Sequence, residues 1–159
     1  MSGRVFFDTN ILIYADDEDS GAKRDRARVL LAEALGAGTG VVSTQVLQEY
    51  FVNATRKLKL DPVKARARLE LYLGFEVIAV RVEHILGAID LHRLRSLSFW
   101  DALVVRCAAD AGCTRLLTED LHSGLKLEGV AREMDAGFPP EQLPEALKTL
   151  RQRIIDATR

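Results

Sequence analysis

Short apolar runs that stop at turn formers alternate along this chain with longer stretches of helical spacing. Val5-Phe6-Phe7 halts at Asp8-Thr9-Asn10 and reads as a buried strand. Ile11 to Tyr14 begins a helical turn, and the acidic stretch Asp16 to Ser20 reads as a loop. Ala22 to Leu35 is built of helix formers and closes at Gly36. Val41-Val42-Ser43 is a second strand, and Thr44 can cap a helix from Gln45 to about Leu58. Asp61-Pro62 starts another helix, ending near Gly74, because Asp caps and Pro suits the first helical position. Val77 to Val80 is a third strand and Val82 to Arg95 a helix. Ser98 opens a helix over Phe99 to Ala111, which Gly112 closes before a fourth strand, Thr114 to Leu117. A short fifth strand is expected near Val130. After Phe138-Pro139-Pro140, the apolar positions Leu143, Leu147, Leu150 and Ile154 predict a last amphipathic helix over Glu141 to Ala157.

Strands alternating with helices predict the α/β class: a three-layer α/β/α arrangement around a central parallel sheet, plus a C-terminal helix. The 159 residues suit one domain. Its body is expected over 1–137, with a helical extension over 138–159 packed on it. Apolar residues make up 48% and charged residues 28%, which excludes a disordered chain. A net charge of −1 excludes a broadly basic nucleic-acid binder but leaves room for a local basic patch. No apolar run reaches the roughly 18 residues of a membrane span, and Met1 to Asp8, without a long apolar centre, is not expected to act as a secretory signal. Cys107 and Cys113 are expected to be buried thiols, which points to a cytoplasmic location. His84, His92 and His122 are too scattered for a zinc site.

Parallel sheets bind ligands outside the carboxyl ends of their strands. Asp8 and Asp120 each follow a predicted strand and so belong to that edge. Glu49 lies in the early turns of the helix leaving the second strand. The helix bearing Asp101 turns tightly at Gly112 into the fourth strand, and the two cover similar lengths, about 20 and 17 Å. The helix start, with Asp101, therefore falls back beside the strand end, with Asp120. Four carboxylates gathered there repel one another unless a cation lies between them. Oxygen donors with no Cys or His favour a hard divalent ion, Mg²⁺ by default, over zinc. Such an ion suits phosphoryl chemistry. Each acid also has a structural reading. Asp8 and Asp101 can cap helices, Glu49 lies off the apolar face of Val46, Tyr50 and Ala54, and Asp120 sits in an ordinary turn.

The ordered set Val5-Phe6-Phe7-Asp8-Thr9-Asn10, Gln48-Glu49-Tyr50, Phe99-Trp100-Asp101-Ala102-Leu103-Val104 and Leu116-Leu117-Thr118-Glu119-Asp120-Leu121 resembles a PIN domain. It is most similar to the VapC-like toxins of type II toxin–antitoxin pairs, over roughly residues 4–135. The resemblance implies a PIN-like fold and a Mg²⁺- or Mn²⁺-dependent endoribonuclease. Asp8, Glu49, Asp101 and Asp120 would form its acidic, metal-holding and catalytic pocket. Thr118 would orient Asp120, Asn10 would support Asp8, and Glu119 is an alternative to its neighbour. It also implies an RNA substrate, a homodimer and a cognate antitoxin protein that blocks the pocket. The segment after Glu141 departs from the pattern, since such toxins usually end soon after the last strand.

An acidic pocket needs basic neighbours to hold a phosphate backbone. Arg56, Lys57 and Lys59, followed by Lys64, Arg66 and Arg68, face only Asp61 between Phe51 and Arg68, and are the candidate RNA-steering residues. Lys23, Arg24, Arg26 and Arg28 form a second cluster. Trp100 adjoins Asp101; it is expected in the core, with base stacking as its functional reading. His122 is a weak candidate for proton transfer. Two other functions fit less well. One is an aspartyl-phosphate phosphatase, which typically wants an acid where Asn10 stands. The other is a PIN-like RNA- or protein-binding module without catalysis.

Overall fold

The computed structural model describes residues 3–95 and 97–118, together with the short strand Leu125–Lys126. The first strand, β1 (Val5–Phe7), is buried at every position. It ends because Asp8 caps helix α1 (Thr9–Asp16), its carboxylate accepting from the Thr9 amide at 2.7 Å. The stretch read as a loop is partly helical. Asp16 closes α1, and Glu18–Ser20 forms a 3₁₀ turn that Asp17 caps through the Asp19 amide. Hydrogen bonds from Ser20 and Asp19 hold the Asp17 carboxyl below its ordinary pKa.

Helix α2 (Ala22–Ala37) runs through Gly36 and stops at Gly38. The Gly38 backbone is left-handed (φ 67°), and the amides of Gly38 and Thr39 return to the carbonyls of Leu35 and Ala34. Closure thus sits two residues beyond the expected glycine, at the one that adopts positive φ. Strand β2 (Gly40–Ser43) leads into α3 (Thr44–Arg56). Ser43, extended at φ −113°, is the residue that caps α3, through the Val46 amide. Thr44 instead accepts from the Val80 amide at 3.1 Å. Asp61 caps α4 (Pro62–Tyr72) as the Asp-Pro signal implies. Then come β3 (Glu76–Ile78), α5 (Val82–Arg95), α6 (Phe99–Asp110), β4 (Arg115–Leu117) and β5 (Leu125–Lys126).

The described strands lie in the order β3-β2-β1-β4-β5. β3, β2, β1 and β4 are parallel, with Val42 beside Val77 and Phe6 beside both Val41 and Leu116. β5 runs antiparallel on β4. The central strands read as unbroken apolar runs because both faces are covered by helices. Gly40 is needed for close packing: a Cβ there would lie 2.1 Å from the Phe75 ring. Cys107 and Cys113 are buried free thiols, and burial pushes both up to about 11. Among the described residues no helix is long and apolar enough to cross a membrane. The strand expected near Val130 and the helix expected over 141–157 lie outside the described residues.

Candidate active site at the carboxyl edge of the sheet

The chain lays β1, β2 and β3 in one direction across the sheet, then returns to place β4 on the other side of β1. The strand order reverses between β1 and β4, and the crevice beyond their carboxyl ends is where such sheets take ligands. The Asp8 amide donates to the Leu117 carbonyl at 3.0 Å, so Asp8 and Thr118 leave the sheet side by side. Both are half-buried.

Glu49 reaches the same edge from α3. Its Oε2 accepts from the Thr9 hydroxyl and its Oε1 from the Gln45 side-chain amide, each at 2.9 Å. Half-burial and two cross-links replace the solvent-exposed role that the helix pattern alone would allow. Thr9 is only 3% exposed and ties Glu49 directly to the residue after Asp8. Gln45 is 4% exposed, and its nitrogen also reaches the Trp100 carbonyl at 3.4 Å. Asp101 follows on the first turn of α6. Ser98 caps that helix through the Asp101 amide at 3.1 Å, and its hydroxyl donates to Asp101 Oδ2 at 2.6 Å. A continuous path of bonds thus runs Asp8–Thr9–Glu49–Gln45–Trp100–Asp101, linking three acids far apart in sequence.

Thr9, Gln45 and Ser98 are the residues that motif reading passed over as site supports. The spacing Gln45-x-x-x-Glu49 puts both on one helical face and was the available signal. Nothing local marks Thr9 as a partner of a residue 40 positions away. Asn10 is half-buried in the first turn of α1. Glu119, Asp120 and His122 lie outside the described residues. Arg56 and Lys57 end α3, with Lys59 just beyond; all three are exposed. Arg56 stands seven residues past Glu49, about 10 Å along the helix axis.

The donor chemistry suits a hard divalent ion, since Asp8, Glu49 and Asp101 bring only carboxylate oxygens. Gln45 adds a second sign. Both of its amide hydrogens face acceptors, which fixes the amide's orientation, and its buried Oε1 has no partner among the described residues. An oxygen so placed is suited to accept from a water in a cation's shell. Among the described residues no three Asp, Glu, His or Cys side chains form a group that could hold an ion unaided. Asp8, Glu49 and Asp101 are joined by the bonded path without themselves forming such a group.

Comparison with known proteins places the chain in a family. A comparison with curated proteins finds no match. Among solved structures, the chain is similar to Mycobacterium tuberculosis VapC20, a sarcin–ricin loop cleaving toxin, at 21% identity and a TM-score of 0.60. That match covers 74% of this chain and 92% of the other. A toxin–antitoxin complex from Klebsiella pneumoniae matches at 23% identity and a TM-score of 0.55, covering 79% of this chain and 92% of that one. VapBC2 from Rickettsia felis, bound to a DNA fragment from its promoter, matches at 20% identity and 0.55, covering 74% and 89%. The model of the PIN domain matches residues 5–123, the stretch from β1 to past β4, and the chain therefore belongs to the PIN-domain family.

Proposed function

We propose that this protein is a metal-dependent endoribonuclease that hydrolyses RNA phosphodiester bonds, acting as the toxin of a toxin–antitoxin pair. The observation that carries this reading is the bonded path linking Asp8, Glu49 and Asp101 at the strand-order reversal of a PIN fold. The toxins and toxin–antitoxin complexes that share the fold support it.

Asp8 and Asp101, with Asp120 as a further donor, would hold Mg²⁺ or Mn²⁺, and Thr118 and Asn10 would support them. A bound divalent ion supplies an activated water and neutralises charge on the phosphate and leaving oxygen. The chain's own part is positional. Thr9 and Gln45 hold both oxygens of Glu49, so that this carboxylate stays turned to the pocket and can accept a proton from the attacking water. Ser98 fixes one oxygen of Asp101 and leaves the other for the ion. Arg56 and Lys57, about two helical turns past Glu49, and Lys59 just beyond the helix would meet the RNA backbone. An antitoxin protein would cover the acids, and a second copy of the chain would complete a homodimer.

Asp101→Asn tests the reading. It keeps an acceptor for Ser98 and so preserves the cap, but it removes a charge from the pocket. Mg²⁺-dependent cleavage of single-stranded RNA is expected to fall at least a hundredfold with the melting temperature unchanged. Cleavage at the parent rate would show that the carboxylates do not carry the reaction.

A further inference from the structure

Trp100 is the chain's one tryptophan and is 61% exposed. Rings of this size are usually mostly covered, so one standing in water beside Asp101 calls for a partner. The indole is oriented rather than loose. Phe99 meets it edge-on at 5.2 Å and 70°, and Phe99 is itself packed against the core. The backbone under it is held by Gln45, the same residue that holds Glu49. The helix turn that leads into this corner is basic, ending α5 with His92, Arg93 and Arg95. Of the exposed apolar positions of α5, Val82, Ile85 and Leu86 lie in its first half, Ile89 just past the middle and Leu94 within the basic last turn. The indole thus stands at the cationic end of the α5–α6 hairpin, next to the acidic edge. A fixed, open aromatic face with cations nearby is the make-up of a single-strand stacking platform.

We propose that Trp100 is the surface on which one unpaired base of a single-stranded RNA stacks, presenting the adjoining phosphate to the acidic edge. The inference rests on the ribonuclease reading and adds to it a residue that determines substrate form. Because the ring reads a base face, it selects unpaired strands over duplex while tolerating many bases.

The full chain carrying Asp8→Asn, which should bind without cutting, is titrated with a short unstructured oligoribonucleotide. Emission excited at the red edge of the indole band, beyond tyrosine absorption, then reports on Trp100 alone. Saturable quenching is expected. In the same background, Trp100→Leu should weaken binding of the fluorescently labelled oligonucleotide by roughly 5- to 150-fold, the size of one base stack, and Trp100→Phe should keep most of it. Binding without quenching, or equal affinity for Trp100→Leu, would overturn the stack while leaving the ribonuclease reading intact. Emission that changes with protein concentration and not with RNA would assign the ring to a protein contact and also overturn it. If the parent neither binds nor cuts RNA, both readings fall together.

Discussion

The most informative residues at the site are neutral. Thr9, Gln45 and Ser98 carry no charge, yet each fixes an acid by donating to a carboxylate oxygen. Hydrogen bonds to charged groups are worth about 1.5–3 kcal/mol when buried. Thr9→Val keeps the shape of the side chain and removes the donor, leaving Glu49 Oε2 without it. The expected result is a loss of about 1–3 kcal/mol of stability in urea unfolding, together with weaker Mn²⁺ binding by calorimetry. Unchanged Mn²⁺ affinity would limit Thr9 to a packing role. At this scale the sequence made the acids visible, because their types and order are local text. It hid what holds them, because Thr9 meets Glu49 and Gln45 meets Trp100 only after distant elements dock. Trp100 shows the reverse failure: burial habit predicts a core ring, and the fold leaves it in water.

Elements were easier to read than contacts, since caps and periodicity act within a few residues. Ser98 and Asp61 cap where their spacing says they should. The misplaced end of α2 turned on which of three nearby glycines takes positive φ, and that is decided by the approach of the chain to β2 rather than by composition. A second cross-element device escaped notice where α1 runs into the acidic stretch. Asp16, at the end of that helix, accepts hydrogen bonds from the phenols of Tyr50 on α3 and Tyr72 on α4, with Arg68 at 3.9 Å. Its side chain is 7% exposed. Burial, followed by the carboxylate's bond and charge, pushes the Tyr50 phenol far above its ordinary pKa. For Tyr72 burial is again the main cause, with Asp16's charge next. Both phenols therefore stay protonated in the folded chain at pH values where unfolded tyrosines ionise. The folded state binds more protons there, so stability is full below about pH 10 and falls as pH rises past it. Urea unfolding between pH 8 and 11 should show that decline. Tyr50→Phe should be less stable at pH 8 and lose less on going to pH 11.

At the scale of the whole molecule, the α/β class followed from the alternation of elements, while strand order could not. Nothing in a local pattern tells that β4 joins β1 rather than β3, yet that choice creates the crevice for the acids. The outer face of α5 is a second whole-molecule feature, with Val82, Ile85, Leu86 and Ile89 exposed in a helical stripe. Such a stripe suits contact with another copy. Leu86→Glu is expected to convert a dimer into a monomer in sedimentation while changing the melting temperature little, since exposed helix positions tolerate charge. A parent that sediments as a monomer would remove the second copy from the proposal.

The pairing of β1 with β4 also has a consequence for biosynthesis. The strand that carries Asp8 is made first, and the neighbour that completes its edge is made more than a hundred residues later. A nascent chain cut short before Leu117 holds Asp8, Glu49 and Asp101 but lacks both the strand that completes their edge and the residues Thr118 and Asp120 beyond it. Under the proposed ribonuclease function, such a fragment would be inert towards the RNA that surrounds it, and cleavage would begin only once synthesis has passed the fourth strand.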